Sequence, residues 1–330
     1  MSEDKMRAVV VGDGGVEIAE VDRPEPGPEQ VLVKVAACSV NRSDLLTVQG
    51  HNYGHVGGGA KIMGASFTGE VVAVGDGAEG VAVGDLVAAT GAAGWAEYAL
   101  SNFRRTLPVP ASGIDLIEVA ALGSGVVIMH DAIVTNGTFE KGQSMLVQGA
   151  NSGVGLIAMQ MGRHLGASMV IGTSTNADRR GRLAEFGADL ALDSRDAGWV
   201  DQVLEATDGE GVDLTIDQVS GYTATDNLSA TKIHGRIINV GRLGGERAEF
   251  DFNKHAERRI TYIGTTGRTR SPAEHVEVFR LAREGIWDAV GTGAFRMPID
   301  SRFDIADAQS ALDRMAANKH FGRIMLTVGG

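Results

Sequence analysis

The chain has 330 residues, 43% of them hydrophobic, which supplies about two folded cores and excludes a disordered chain. Its 42 acidic against 30 basic residues leave a net charge of -12, which argues against a nucleic-acid surface; the densest basic cluster is only Arg179, Arg180 and Arg182. The single cysteine, Cys38, excludes an internal disulfide and any zinc site built on several cysteines.

The chain opens on a charged stretch, Met1 to Met6, without the apolar core of a secretory signal. No uncharged apolar stretch reaches the ~18 residues of a membrane span; the run Val119–Met129 is short and carries Gly123, Ser124 and Gly125. These features point to a cytoplasmic protein that binds neither membrane nor nucleic acid. Up to residue ~115, β-branched runs such as Val31–Ala36, Gly69–Val74 and Asp85–Ala89 alternate with glycine-rich turns. That grammar predicts a mostly antiparallel, barrel-like domain.

No proline lies between Pro110 and Pro272, as regular inner strands and helices require. Within that stretch the pattern predicts strands at Ser144–Gly149, Ser168–Gly172, Leu190–Asp193, Val212–Asp217, Arg236–Val240 and Ile260–Gly264. Helices are predicted between most of them, at Val154–Leu165, Ala177–Phe186, Trp199–Ala206 and Tyr222–Ala230. Alternating strands and helices imply an α/β fold with a parallel sheet covered on both faces. Helices at Ala273–Glu284 and Ile305–Ala317 and a strand at Arg323–Val328 close the sequence.

Between the first of these middle strands and its helix lies Gly149-Ala150-Asn151-Ser152-Gly153-Val154-Gly155. A strand, a turn of small residues and a helix in one βαβ unit point to a phosphate-binding turn, whose backbone N–H groups would meet a pyrophosphate at the positive end of the helix; the alternative is a plain glycine-rich turn. Against the G-x-G-x-x-G pattern, Ala150 and Ser152 replace the first two glycines and Gly155 keeps the third. An NAD site places a carboxylate about 20 positions on, against the ribose 2′-hydroxyl. Here the second strand ends in Gly172-Thr173-Ser174-Thr175, with Arg179 and Arg180 following. Hydroxyls and guanidinium groups suit the 2′-phosphate of NADPH. The alternative is that these arginines are a solvated helix face.

His51 and His55 have H-x3-H spacing, which binds metal when it lies on a helix, but they sit among glycines in Gly50 to Gly59. The plain reading is a polar loop. Cys38 reads as a small core residue rather than a nucleophile.

Taken together the chain resembles the zinc-independent medium-chain dehydrogenase/reductases, and within them the zeta-crystallin-like NADPH:quinone oxidoreductases. The resemblance rests on Pro24-Glu25-Pro26-Gly27-Pro28, Asn41-Arg42-Ser43-Asp44, Gln49-Gly50, Gly75, Gly84-Asp85 and Ala96-Glu97-Tyr98. It continues through the Ala150–Gly155 turn, Gly187-Ala188-Asp189, Asp217, Gly235-Arg236 and Gly322-Arg323. The resemblance implies a GroES-like β-barrel catalytic domain from residues 1–124 and 267–330. It implies a Rossmann doubly wound parallel sheet from residues 125–266, a cleft for the nicotinamide, and a homodimer paired through the strand near Arg259–Gly264. By motif, Ala150, Ser152, Gly153, Val154 and Gly155 would line the pyrophosphate, and Ser174 and Arg179 would meet the 2′-phosphate. Gly241 would lie near the nicotinamide, and Asn41 and Tyr53 would face the substrate.

Zinc-dependent relatives carry a cysteine where this chain has Asn41 and a His-Glu pair where it has Ala65-Ser66, so no metal is expected. Hydride addition to a quinone or enone places negative charge on oxygen, and without zinc the stabilising donors must be side chains or backbone N–H groups. The Asn41 amide and the Tyr53 phenol are the candidates, and the apolar Val127-Ile128-Met129 would suit an apolar substrate. A second reading is a trans-2-enoyl thioester reductase with Tyr53 as proton donor, suggested by Asn151-Ser152 and by Gln49-Gly50 with Asn52-Tyr53-Gly54. A third, of another class, is a non-catalytic NADPH-binding protein.

Overall fold

The computed structural model describes residues 4–50 and 62–329. Tyr53, His51 and His55 lie outside the described residues. Contacts divide the chain into two units: residues 1–124, 268–293 and 297–330 form one, and residues 125–267 with 294–296 form the other.

The first unit begins with an antiparallel hairpin, β1 (Lys5–Gly12) and β2 (Gly15–Asp22), closed across Gly12 and Gly15. The long strand β3 (Gln30–Val40) follows, rich in valine and almost wholly buried. Helix α1 (Arg42–Val48) leaves its end. Strands β4 (Ser66–Val74), β5 (Leu86–Thr90), β6 (Tyr98–Asn102) and β7 (Thr106–Pro108) complete the early part, longer or shorter than the apolar runs by a few residues.

Helix α2 (Leu116–His130) continues as a π-helical turn, Asp131–Asn136. At 21 residues and a mean hydropathy of 1.6 it is long and apolar enough to cross a bilayer, yet 72% of that window is buried inside the protein. Burial of this kind marks a core helix.

The second unit is a parallel sheet of β8 (Ser144–Gln148), β9 (Met169–Thr173), β10 (Leu190–Leu192), β11 (Val212–Asp217), β12 (Thr231–Asn239) and β13 (Thr261–Gly264). Its order is β10-β9-β8-β11-β12-β13, every pair parallel. The chain steps outward from β8 to β10 and then restarts on the other side of β8. The carboxyl ends of β8 and β11 therefore flank a topological switch point, where open α/β sheets bind ligands. Helices α3 (Gly153–His164), α4 (Ala177–Arg180), α5 (Trp199–Ala206), α6 (Ala224–Ala230) and α7 (Phe252–Arg258) link the strands. Leu146, Ile171, Trp199 and Val203 form one of its cores.

Two expected elements differ. The predicted helix Ala177–Phe186 is broken into α4 and a 3-10 turn at Leu183–Phe186, because Gly181, a poor helix former, ends the first turn. Strand β12 starts at Thr231 rather than Arg236, and a register jump against β11 pushes Lys232–Gly235 out as a bulge with His234 at φ 65. The polar side chains there hide the strand from periodicity.

The chain then returns to the first unit with α8 (Pro272–Gly285), α9 (Asp288–Gly291), β14 (Ile299–Asp304), α10 (Ala308–Ala316) and β15 (Arg323–Thr327). Strand β15 pairs antiparallel with β3, Ile324 against Val40 and Leu326 against Cys38. The resulting sheet runs β14-β15-β3-β4-β5-β7, with β6 also on β3. Val33, Cys38, Phe67, Trp95, Leu312 and Leu326 share its main core.

Candidate cofactor cradle and polar centre

In the second unit the predicted turn joins the end of β8 to the start of α3. Gly149 leaves β8 at φ +67, a left-handed conformation that favours glycine. Ser152 caps α3, its hydroxyl accepting from Gly155 N–H at 3.1 Å. The N–H groups of Gly153 and Val154 then open the helix without intrahelical acceptors, as every first helical turn must, and with the positive end of the helix dipole behind them. A Cβ on Gly155 would lie 2.7 Å from Ala150 Cα and from Gly149 O, so only glycine allows this closure. Ala150 itself is fully buried beneath the turn, its N–H donating to Thr173 O at 2.8 Å. It shapes the cradle from below. A buried chain fixes the base: Thr173 Oγ1 donates to Gln148 Oε1 at 2.7 Å, and Gln148 Nε2 donates to Asn227 Oδ1 at 2.8 Å.

On the β9 side, Ser174 is buried with its hydroxyl 3.3 Å from Asn176 O and N. Arg180 donates to Ser174 O at 2.8 Å and to Asp193 Oδ2 at 3.1 Å. Asp193 follows β10, and its carboxylate is held by that guanidinium. Arg179 stands beside it on α4, half-buried, with its backbone N–H tied to Asn176 Oδ1 at 2.9 Å.

On the other side, the segments after β11 and β12 are zipped together. Asp217 is fully buried and its carboxylate accepts from Val219 N–H (2.9 Å) and Ser220 N–H (2.8 Å). Burial pushes its pKa up, against those hydrogen bonds. Gly241 N–H donates to Asp217 O at 3.1 Å, and Gly241 O accepts from Ser220 Oγ at 2.8 Å. A Cβ on Gly241 would meet Gln218 O at 2.7 Å. The structure therefore gathers Gly149, Ser152, Gln218 and Gly241 at the switch point.

The first unit holds a separate polar centre around Asn41. The residue starts α1, and Asp44 reaches back to accept its backbone N–H at 2.7 Å. The Asn41 side chain turns elsewhere: Oδ1 accepts from Arg323 Nη1 at 2.6 Å, and Nδ2 makes two long contacts of 3.3 Å with Ser39 O and Oγ. Ser39 Oγ in turn lies 3.0 Å from Ser66 Oγ. Arg323 fixes the amide so that its carbonyl is spent and its amino group remains the weakly engaged end. Gly322 makes this reach feasible, since it sits at φ +88 where a Cβ would strike Pro298 O at 2.0 Å.

Asp44 and Arg323 are both buried. Burial pushes Asp44 up from 3.8 to about 7, against the Asn41 N–H bond and the Arg323 charge, and it lowers Arg323 to about 10. Asp44 therefore binds its proton more tightly folded than unfolded. Its contribution to stability is complete at acid pH and is lost as pH rises through about 7. At about 1.4 kcal/mol per unit that loss is on the order of 4 kcal/mol. The Asp44→Asn protein should show a flatter stability profile than wild type between about pH 4 and 8. Equal slopes for the two in urea unfolding would refute the assignment.

A zinc ion does not fit this centre. Its side chains are a carboxamide, two hydroxyls, a buried guanidinium and the Asp44 carboxylate, which is committed to the Asn41 N–H, and a cation there would meet the charge of Arg323. Cys38 Sγ is spent on Gly94 O at 3.0 Å, and burial pushes its thiol pKa up. Among the described residues no three His, Cys, Asp or Glu side chains gather to hold a metal. Arg323, Asp44, Ser39 and Gln218 were given no role by the sequence. A weak signal existed for Asp44, since Asn-x-x-Asp is a capping pattern.

Residues 27–111 match the alcohol dehydrogenase GroES-like domain and residues 153–284 match the zinc-binding dehydrogenase family, together well over half of the chain. A mycocerosic acid synthase-like polyketide synthase of Mycobacterium tuberculosis is 28% identical over 319 residues, 95% of this chain. A phenolphthiocerol/phthiocerol polyketide synthase from the same organism is 27% identical over 311 residues, 94% of this chain. The chain spans only 15% and 14% of the length of these two curated relatives. Among solved structures, a mycobacterial quinone oxidoreductase superposes with a TM-score of 0.85 at 26% identity, covering 98% of this chain and 99% of that one. An alcohol dehydrogenase superfamily protein from Novosphingobium aromaticivorans superposes at 0.87 with 27% identity, covering 98% and 100%. With a GroES-like domain and a Rossmann-type parallel sheet in one chain, the protein belongs to the medium-chain dehydrogenase/reductase family of nicotinamide-dependent oxidoreductases.

Proposed function

We propose that the protein is an NADPH-dependent reductase that delivers hydride to a quinone or another α,β-unsaturated carbonyl acceptor without a metal ion. The observation that carries this reading is the Asn41 centre, where an uncharged amide locked by Arg323 stands in place of metal ligands. When bound, NADPH supplies the hydride. Charge then develops on the acceptor oxygen, and the Asn41 amino group is the donor that meets it; a fixed neutral donor stabilises an oxyanion without reorganising. Tyr53, outside the described residues, is the second donor in this proposal.

The preference for NADPH is supported by the β9 end, which lacks a carboxylate, and by Arg179 beside it. NADPH should bind much more tightly than NADH, and Arg179→Ala should narrow the gap by roughly tenfold, the worth of one charge-assisted hydrogen bond. An unchanged ratio of dissociation constants would remove Arg179 from the phosphate site.

A second reading, reduction of a trans-2-enoyl thioester, is favoured by the polyketide synthase relatives and by Asn151-Ser152 in the turn. One experiment separates them: NADPH oxidation against a benzoquinone, a short alkenal and a trans-2-enoyl thioester, with wild type and Tyr53→Phe, and products identified. Quinone or alkenal turnover that survives Tyr53→Phe supports the first reading. Thioester turnover that collapses in that variant supports the second. NADPH binding without turnover of any acceptor overturns both and leaves a non-catalytic binding protein.

The proposal includes a cytoplasmic homodimer. It is supported by β13, the edge strand of the parallel sheet, and by the neighbouring Phe252, 76% exposed. A monomeric mass by light scattering would exclude it.

A further inference from the structure

Gln218 lies one residue beyond β11, at the switch point, and is only 3% exposed. Glycines from both flanking strand ends close upon it. A Cβ on Gly149 would stand 3.7 Å from Gln218 Cβ, and one on Gly241 would strike Gln218 O at 2.7 Å. Its backbone is used, with Gln218 O accepting from Leu243 N–H at 3.1 Å. Its side chain is half used. Oε1 accepts from Ser152 Oγ at 2.8 Å, while Nε2 is buried and meets no acceptor.

Acceptors are close by but committed. The Asp217 carboxylate takes the N–H groups of Val219 and Ser220. Ser152 Oγ accepts from Gly155 N–H and gives its own proton to Gln218. That arrangement fixes the amide with its carbonyl toward Ser152 and its amino group left over. Two N–H donors in a buried site, held still and given nothing to bind, cost free energy in the free protein. Covalent geometry keeps Nε2 within roughly 5 Å of Ser152 Oγ, at the mouth of α3 where backbone N–H groups already converge. Leu243, more than half exposed, lies beside Gly149 together with Val219 and Gln218.

We propose that Gln218 is a cofactor-binding residue whose amide donates to the nicotinamide-side phosphate of the dinucleotide, with Ser152 as its positioning residue. The inference rests on the reading of the Gly149–Gly155 turn as a dinucleotide cradle. The pair spans the switch point, 66 residues apart in sequence, and joins the helix mouth to the end of β11. The ligand group it takes is an anionic oxygen, because the site already offers donors and no free acceptor.

The test uses Gln218→Leu and the near-isosteric Gln218→Glu, titrated calorimetrically with NADPH and with 2′,5′-ADP, which lacks the nicotinamide-side phosphate. Apo melting temperatures are read alongside. Gln218→Leu should weaken NADPH about tenfold or more and leave 2′,5′-ADP unchanged, while the apo melting temperature holds or rises. Gln218→Glu should weaken NADPH further, because a carboxylate opposes the phosphate. Ser152→Ala should lose part of the same effect, and the double variant should lose less than the sum. Wild-type affinity for NADPH in Gln218→Leu overturns the proposal. Equal weakening of both ligands, or a fall in apo melting temperature that accounts for the loss, assigns Gln218 a structural role instead. Failure of wild type to bind either ligand overturns the cradle reading itself, and this proposal with it.

Discussion

Gly155→Val should abolish measurable NADPH binding, with at least a hundredfold loss of affinity. The cause is local: the new Cβ would sit 2.7 Å from Ala150 Cα, 2.7 Å from Gly149 O and 2.8 Å from Ala150 C. All three are backbone atoms of the turn, so the clash cannot be relieved by swinging a side chain away. Overpacking of this kind costs about 1–3 kcal/mol of stability. More important, the turn must open, and the N–H groups of Gly153 and Val154 then no longer converge on one point. Fluorescence titration gives the affinity, and circular dichroism shows whether the fold survives. The control is Gly14→Ala, where a methyl meets nothing within 4 Å and binding should be unchanged. A folded Gly155→Val protein with wild-type affinity would remove the turn from the cofactor site.

Arg323→Met should be the most destabilising single change in the first unit. Removing one partner from a buried charged centre leaves the other uncompensated, at a cost of about 3–5 kcal/mol. Here the uncompensated group is Asp44, which Arg323 offsets as a nearby charge without a direct hydrogen bond and which keeps its Asn41 N–H bond. Asp44 can escape part of that cost by holding a proton, so the deficit should be smallest at acid pH and grow toward pH 8. Asn41 also loses the bond that fixes its amide. The reductase activity should therefore fall in kcat even at temperatures where the variant remains folded. Thermal unfolding at two pH values and steady-state kinetics check both halves. A melting temperature within a degree or two of wild type at pH 8 would show that Arg323 does not balance Asp44.

The strand-turn-helix at β8 and α3 was legible in the sequence because three local signals coincide within ~30 residues: a buried strand, a turn of small residues and a helix. The parallel sheet was legible for the same reason, since βαβ units repeat a local pattern. What escaped was long-range. Ser152 and Gln218 are brought together by strand order, and the order β9-β8-β11 cannot be read from periodicity. Arg323 meets Asn41 across 282 residues, through the pairing of β15 with β3. The sequence placed Ser66 where a ligand would otherwise stand but offered no hint that Ser39 would bond to it. Ala150 is fully buried and its N–H reaches Thr173 O at the end of β9, a contact between strand ends that the motif alone does not reveal. The break at Gly181 was missed because glycine here keeps right-handed φ and leaves no positional signature.

The sheet of the first unit has a consequence for the order in which the chain is made. Strand β15 lies between β14 and β3, so one inner seam of that sheet joins early residues to late ones. During synthesis the parallel sheet emerges whole and can collapse on itself while the ribosome is still translating. Strand β3, by contrast, has Gln30–Lys34 paired with β6 early but leaves Ala37–Val40 without that partner until β15 arrives. An apolar strand end waiting for a distant partner is an aggregation hazard and a natural client for chaperones. Heterologous production should therefore improve with slower synthesis or lower temperature, and trimming the chain before Arg323 should yield insoluble protein.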